Sequence, residues 1–353
     1  MSLYSRLLYP LLTRLDAEVA HDRAVSALEL AQRMRIGRAF LRAIAGKIPQ
    51  RPVTAFGLEF PNFLGVAAGF DKDVRVAHGL ACLGFGHVEV GTLTPRPQPG
   101  NKKPRVFRLV DDRALINRMG FPNGGVEAAM PRLIATWALK DRRFRIGVSL
   151  GKQKETPLED AAQDYVTVMR RVFPYADYLA VNISSPNTPG LRELQGADYL
   201  GHLLRTLMEE NARLAREQFV PERPLLLKIA PDMTMDELDT ITDAALEHRI
   251  AGIIATNTTR AREELVSPQA EEEGGLSGAP LLDRSTEFVE RIFDRAGDKL
   301  DIIAVGGVMT AEDAIEKLEA GAALVQMYTG LVYEGPGIAG RILREVAEAE
   351  GEG

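Results

Sequence analysis

"DIIAVGGVMTAEDAIEKLEA", residues 301–320, contains one complete structural unit. Asp301–Val305 is a short, apolar, β-prone run of the kind that forms a buried strand. Gly306 and Gly307 follow it, and Thr310 stands as the N-cap of a helix over Ala311–Ala320, with Glu312 and Asp313 in its acidic first turn. Working outward, seven further runs have the same character: Phe63–Ala67, His87–Gly91, Ile146–Leu150, Tyr178–Ile183, Leu225–Ile229, Gly252–Ala255 and Ala323–Met327. Helical spacing fills the gaps over Ala197–Glu217, Met235–His248 and Ser285–Ala296. Alternating strand and helix imply parallel strands buried on both faces. Eight such units predict a (β/α)8 barrel, the TIM-barrel architecture in the α/β class, with a doubly wound open sheet as the alternative.

A barrel carries its chemistry in the loops after the carboxyl ends of its strands. The exits here are "AAGFDK" (67–72), Thr92, Asn182 with "NISSPNTPGLR" (182–192), Lys228, "TNTT" (256–259), "GG" (306–307) and "YTG" (328–330). Ordinary turns need Gly, Asn and Asp; they do not need lysines and paired carboxamides. Lys228 sits inside "LLLKIAPD" with apolar residues on both sides, so its ammonium requires an anion or a carbonyl-rich ligand. The diglycine after the seventh run and Gly330 after the eighth let backbone approach a phosphate. Phosphate there and a cation near the fifth strand suit a flavin mononucleotide, and a sugar phosphate almost as well.

Two stretches are too long for plain connections. Thr94 to about Asp141, with "PRPQPGNKKPRVFRL" and "INRMGFPNGG", reads as an excursion over the barrel mouth, and 260–284, with "EEEGGLSGAP", as a mobile or ligand-wrapping loop. Pro52–Ala55 and Gly57–Phe60 read as a hairpin plugging the opposite end. Residues 1–46 form an amphipathic helical extension to a barrel domain at 47–353. Leu3, Leu7, Leu8, Leu11, Leu12 and Leu15, then Ala27, Leu28, Ala31 and Met34, then Phe40, Leu41 and Ile44, recur among seven arginines, with Lys47 just beyond. Periodicity alone favours a helical pair packed on the barrel, whereas the arginines also suit an anionic bilayer interface. No cleavable signal pattern is present.

A net charge of −6 argues against a nucleic-acid protein, and the single Cys82 and five scattered histidines argue against a metal site.

Nine blocks in order, "AAGFDKD", "GTLTPRPQPGN", "NRMGF", "NISSPNTPGLR", "KIAPD", "ATNTT", "GGLSG", "VGGV" and "LVQMYTG", resemble the signature blocks of the dihydroorotate dehydrogenases, specifically the quinone-dependent, membrane-associated class 2. The resemblance runs to about residue 340. It implies FMN as cofactor, oxidation of (S)-dihydroorotate to orotate in pyrimidine biosynthesis, and a membrane quinone as electron acceptor at the cytoplasmic face of the cell membrane. It places flavin contacts at Ala68, Gly69, Phe70, Asp71, Lys72, Thr92, Asn182, Lys228, Thr256, Gly278, Gly307, Tyr328 and Thr329. Substrate contacts fall on Lys72, Asn117, Arg118, Met119, Gly120, Phe121, Asn182, Asn187, Asn257 and Thr258, and the catalytic base on Ser185. One block departs: the family's "GxNxGK" is "GVSLGK" here, so Ser149 replaces an asparagine near the flavin.

A flat substrate ring with two amide-like edges and a carboxylate suits Asn117, Asn182, Asn187 and Asn257, each with donors and an acceptor in one plane, and Lys72 for charge. Taken alone, Ser185 would read as an ordinary turn serine. As a base it needs only to pass a proton onward, to Thr188 or a water. Ser184 is expected to face away or to bond backbone. The soluble relatives use a cysteine base, and Cys82 in "LACLGFG" reads instead as a core residue. The helices would then form a quinone funnel, with His21 and Arg108 as polar contacts. The rival functions are a flavin-free phosphate-binding lyase or isomerase, and a non-catalytic nucleotide-binding barrel.

Overall fold

The computed structural model describes residues 4–140, 142–187 and 191–351. A π-helical turn, Tyr4–Leu8, runs into α1 (Tyr9–Leu12), followed by α2 (Ala17–Arg33) and α3 (Arg35–Ala45). The leucine run is therefore not one helix. Asp16 ends it by accepting the amides of Glu18 and Val19 as the N-cap of α2, and Leu3 lies outside the described residues.

The hairpin β1 (Val53–Ala55) and β2 (Leu58–Phe60) comes next. Then β3 (Leu64–Val66), α4 (Ala77–Cys82) and β4 (His87–Leu93) begin the barrel. Between β4 and the third barrel strand lie β5 (Val106–Leu109), β6 (Ala114–Asn117) and α5 (Gly125–Trp137). The chain continues β7 (Arg145–Leu150), α6 (Ala161–Val172), β8 (Tyr178–Asn182), α7 (Ala197–Gln218), β9 (Leu225–Lys228), α8 (Met235–Glu247) and β10 (Gly252–Ala255). It ends with β11 (Gly275–Gly278), α9 (Leu282–Ala296), β12 (Asp301–Val305), α10 (Ala311–Glu319), β13 (Leu324–Met327), α11 (Thr329–Glu334) and α12 (Ile338–Ala349). β3, β4, β7, β8, β9, β10, β12 and β13 close into a barrel in which every pairing is parallel. All eight expected strands are present, so the open sheet is excluded. Thr310 caps α10 as expected, accepting the amide of Asp313, whose carboxylate accepts the Thr310 amide in return.

The barrel is a packed solid, and its glycines show how. A Cβ on Gly65 would lie 2.2 Å from His87 Nε2, and one on Gly147 would lie 2.1 Å from Tyr178 Cζ. Small residues thus make room for large inward ones on neighbouring strands. The β1–β2 hairpin seals the floor below: Phe60 meets the His87 ring edge-on at 5.5 Å, Phe56 meets Tyr178 at 6.0 Å, and Asp301 accepts the Phe56 amide.

Two expectations about the long connections need correction. The excursion over the mouth ends near Gly124, because Gly125–Trp137 is the barrel's second helix; its glycine start and internal Pro131 disguise it. "GGLSG" is not a mobile loop but strand β11, paired antiparallel with β6, so that β11-β6-β5 forms a three-stranded roof. Its glycines serve close packing: a Cβ on Gly275 would meet Thr258 Oγ1 at 1.9 Å, and one on Gly278, at φ 107°, would meet the Arg113 carbonyl oxygen at 2.4 Å.

The amino-terminal helices share the barrel's core. Val25 and Leu41 are buried in it, Leu28 fills the space over Gly79, and Gln32 accepts the Gly79 amide. Glu18 forms a buried ion pair with Arg105, whose other donors bind the carbonyls of Pro99 and Asn101. The outward side differs: Leu8, Leu11, Leu30, Met34, Ile36 (79%) and Phe40 (64%) are exposed. One side of the helical pair is packed, and the other presents apolar groups to the surroundings.

Candidate active site

The strand exits open beneath the roof into one cavity of about 1210 Å³, counted to its solvent opening. Its polar wall is a chain of side chains that hold one another. Thr92, at the end of β4, accepts from the Asn182 carboxamide at 3.0 Å and shares a hydrogen bond with Ser149 at 2.9 Å. Asn182 Oδ1 accepts the Ser184 hydroxyl at 3.1 Å, and Ser184 in turn accepts from the Asn257 amide at 3.0 Å. Asn257 Oδ1 takes the backbone amide of Thr258 at 2.8 Å. The exits of β4, β8 and β10 are thereby locked together, and the unused edges of the carboxamides are pre-oriented. Ser184 does turn from the cavity as expected, but it bridges two carboxamides rather than bonding to backbone.

The opposite wall comes from the roof. Asn187 donates to the carbonyl oxygen of Asn117 at 3.0 Å and to its side-chain oxygen at 3.2 Å, while Asn101 donates to the Asn187 carbonyl at 3.3 Å. Ser185 lies between these walls, buried, with its Oγ accepting the Asn187 amide at 3.2 Å. That bond uses one lone pair and leaves the second, and the proton, for a ligand or relay. Thr188, the expected relay, lies outside the described residues. Arg192 fastens this loop: it donates to the carbonyls of Ser184 and Thr258 and pairs with Asp232 at 2.6 Å.

Two ammonium groups face the cavity. Lys72 has no ion pair among the described residues, and burial holds its pKa below the usual lysine range, against the pull of Asp22 and Glu18. Lys228 does have a partner: Glu89 on β4, 3.5 Å away and fully buried. Tyr178 and Gln326 both donate to the other Glu89 oxygen, at 3.4 and 3.1 Å. Beneath Lys228 there is thus a closed polar cluster in the barrel interior, which the exit-by-exit reading missed. Gln326 lines the cavity, and its buried Oε1 has no hydrogen-bond partner among the described residues.

At the far end Gly306 (φ 133°) and Gly307 (φ 82°) line the cavity with backbone. A Cβ on Gly307 would lie 2.4 Å from Leu282 Cα, so no side chain fits behind the turn. The Thr329 hydroxyl closes this end, bonded to Ser277 at 2.8 Å.

The cavity brings together Ser185, Lys72, Thr92, Asn182, Lys228, Thr256, Gly278, Gly307, Tyr328 and Thr329, along with Ala68 and Gly69. It also gathers Asn117, Met119, Gly120, Phe121, Asn187, Asn257 and Thr258. Three anticipated residues are not brought to it. Phe70 packs edge-on against the His21 and Tyr328 rings. The Asp71 carboxylate is consumed by the backbone amides of Arg75 and Val76. Arg118 turns outward to Glu272 at 2.7 Å. Ser149 is also off the wall, one hydrogen bond behind Thr92. His21 reaches the cavity's edge through Tyr328, and burial followed by the Lys72 charge lowers its pKa to about 3, so it stays neutral. Arg108 instead lines a separate groove beside Thr13 and Pro268 and donates to the Leu15 carbonyl.

A further residue absent from the sequence reading is Asn123. Buried below the roof, it accepts the Gly125 amide at 2.8 Å and donates to the carbonyl of Phe121 at 2.9 Å, fixing the 117–121 turn. An asparagine amid "GFPNGG" reads as turn chemistry, and only its burial separates it from one.

The sequence profile of the family described as dihydroorotate dehydrogenase matches residues 52–349. A dihydroorotate dehydrogenase (quinone) from Nitrosospira multiformis is 47% identical over 352 residues, covering 99% of this chain and 98% of its own. One from Anaeromyxobacter dehalogenans is 50% identical over 333 residues, covering 94% and 88%. Among solved structures, DHODH from Eimeria tenella in complex with ferulenol superposes with a TM-score of 0.84 at 38% identity, covering 95% of this chain and 91% of that one.

Proposed function

The chain belongs to the dihydroorotate dehydrogenase family, and on that premise we propose that it oxidises (S)-dihydroorotate to orotate in pyrimidine biosynthesis, with FMN as hydride acceptor and a membrane quinone as final electron acceptor. The observation that carries this reading is the meeting of Ser185, four carboxamides and Lys72 in the one cavity that also holds Lys228 and the Gly306–Gly307 turn.

The residues fit such a cofactor. The bare backbone of Gly306 and Gly307 and the Thr329 hydroxyl suit a phosphate. Lys228, Asn182 and Thr256, with the unpartnered Gln326 oxygen, offer donors and an acceptor to the polar edge of a flavin ring. A flavin held by these residues would supply the hydride acceptor and a route for the electrons to a quinone. The remaining chemistry belongs to the chain. Asn117, Asn187 and Asn257 read the amide edges of the substrate ring, and Lys72 balances its carboxylate and the negative charge that develops as the proton leaves. Ser185 Oγ accepts that proton as its own moves on. Anaerobic mixing with dihydroorotate should bleach the yellow flavin, and a short-chain quinone should restore the colour. A colourless protein, or colour indifferent to dihydroorotate, would support the flavin-free lyase or the non-catalytic barrel instead.

The quinone end is read from α1 to α3 as a peripheral membrane anchor at the cytoplasmic face. Among the described residues no helix is long and apolar enough to cross a membrane. The exposed Ile36 and Phe40 supply an apolar patch, and Arg35, Arg38 and Arg42 on the same helix suit anionic headgroups. The pair Ile36→Glu and Phe40→Glu should weaken sedimentation with anionic vesicles by roughly tenfold or more, since each loses on the order of 1.5–3 kcal/mol of apolar transfer. Flavin reduction by dihydroorotate should not change. Undiminished co-sedimentation would remove α3 from the anchor.

A further inference from the structure

No step above uses Lys317, on α10. It is fully buried, and its ammonium donates to the Leu282 carbonyl at 2.7 Å, to Ser285 Oγ at 2.7 Å and to Thr286 Oγ1. Its three donors are thereby satisfied by neutral oxygens, and no carboxylate forms an ion pair with it among the described residues. An ammonium buried without a counter-ion is unfavourable, and burial lowers its pKa to about 8. The charges that oppose this shift are Glu316 and Asp313 on its own helix and Asp283 and Glu290 on α9. β13 brings no ionisable group against it, and Arg341 of α12 is held by Glu334 and the Met309 carbonyl.

One branch of the cluster runs through the Thr286 hydroxyl to the Glu316 carboxylate, which accepts it at 2.7 Å, and the other ends at the glycine turn. Ser285 receives Lys317 on its oxygen and directs its single proton to Leu282 or to the Gly306 carbonyl, 3.1 Å away. Leu282 already has the ammonium, which leaves the proton available for Gly306. In a trans peptide the C=O and the following N–H point opposite ways. Fixing the Gly306 carbonyl towards α9 therefore aims the Gly307 N–H away from it, on the side where Gly307 lines the cavity. Contact here is close enough that a Cβ on Gly306 would sit 2.7 Å from Ser285 Oγ.

We propose that Lys317 is a positioning residue whose buried charge, relayed through Ser285 to the Gly306–Gly307 peptide, makes the cavity prefer a phosphorylated flavin to the unphosphorylated one. This rests on the flavin reading above and adds the source of its phosphate selectivity. The charge acts at low effective dielectric on a dianion, and riboflavin, which lacks that dianion, is indifferent to it.

The test compares dissociation constants of FMN and riboflavin for the full-length chain freed of flavin, near neutral pH and at about pH 9.5, for the wild type, Lys317→Gln and Lys317→Met. The FMN-to-riboflavin affinity ratio should fall about tenfold in both variants near neutrality. In the wild type it should fall by a similar factor at about pH 9.5, where the ammonium is lost, and in the variants it should no longer respond to pH. Riboflavin affinity, which a loosened cavity would reduce, should stay constant. A wild-type ratio independent of pH, or variants that keep the wild-type ratio, overturns the role of Lys317 while leaving the flavin reading intact. Should neither variant fold, the wild-type pH comparison decides alone. A wild type that binds neither flavin overturns both.

Discussion

Replacing Ser185 with alanine is expected to slow reduction of the bound flavin by dihydroorotate about 10³-fold, with orotate affinity within a few-fold of wild type. Among the described residues neither histidine nor carboxylate activates the hydroxyl; its oxygen accepts the Asn187 amide. Such a bond does not raise basicity. It holds the oxygen still, and Pro186 and Arg192 stiffen the loop on either side. The rate contribution of Ser185 thus depends on position and on a proton path, which makes it sensitive to the loop. Arg192→Lys should accordingly lower the same rate, because a point charge cannot reach the Ser184 and Thr258 carbonyls and Asp232 together. Stopped-flow absorbance at the flavin band measures both. Reduction of the Ser185→Ala protein at the wild-type rate would show that the proton leaves by another group.

The barrel was legible because its strands are buried on both faces and so carry unbroken apolar runs, as in Asp301–Val305 and Tyr178–Asn182. What misled was glycine. In "GGLSG" it reads as loop chemistry, yet Gly275 and Gly278 are glycines because Thr258 and Arg113 leave no space for a Cβ. A periodic pattern does not contain that contact. The site was legible at its rim, where polar residues interrupt strand ends. Asp71 entered the flavin set through the resemblance of "AAGFDKD" alone, whereas its oxygens close the turn before α4. Glu89 was missed for another reason: it lies inside the apolar run "HVEVGTL" and not at its exit. The signal was available, since a lone carboxylate in one buried strand and a lone lysine in another imply each other.

Glu89 gives the second large effect. Glu89→Leu should destabilise the fold by about 3–5 kcal/mol, because it leaves the Lys228 ammonium buried with no counter-charge and takes an acceptor from Tyr178 and Gln326. Lys228→Met alone should be similarly costly, since it strands the fully buried Glu89 carboxylate. The double substitution should not cost the sum. Removing both charges relieves the desolvation that each single change exposes, and apolar replacements can come close to neutrality, so the coupling in a double-mutant cycle should reach several kcal/mol. Urea midpoints of the flavin-free protein measure it without interference from ligand binding. Additive losses would mean that the two groups act independently across 3.5 Å, and the pair would then be no reason for a carboxylate to persist in the barrel interior. With coupling, Glu89 is what allows a cation to stand at the cavity floor: Lys228 can face the ring of a bound ligand because its charge is already balanced from below.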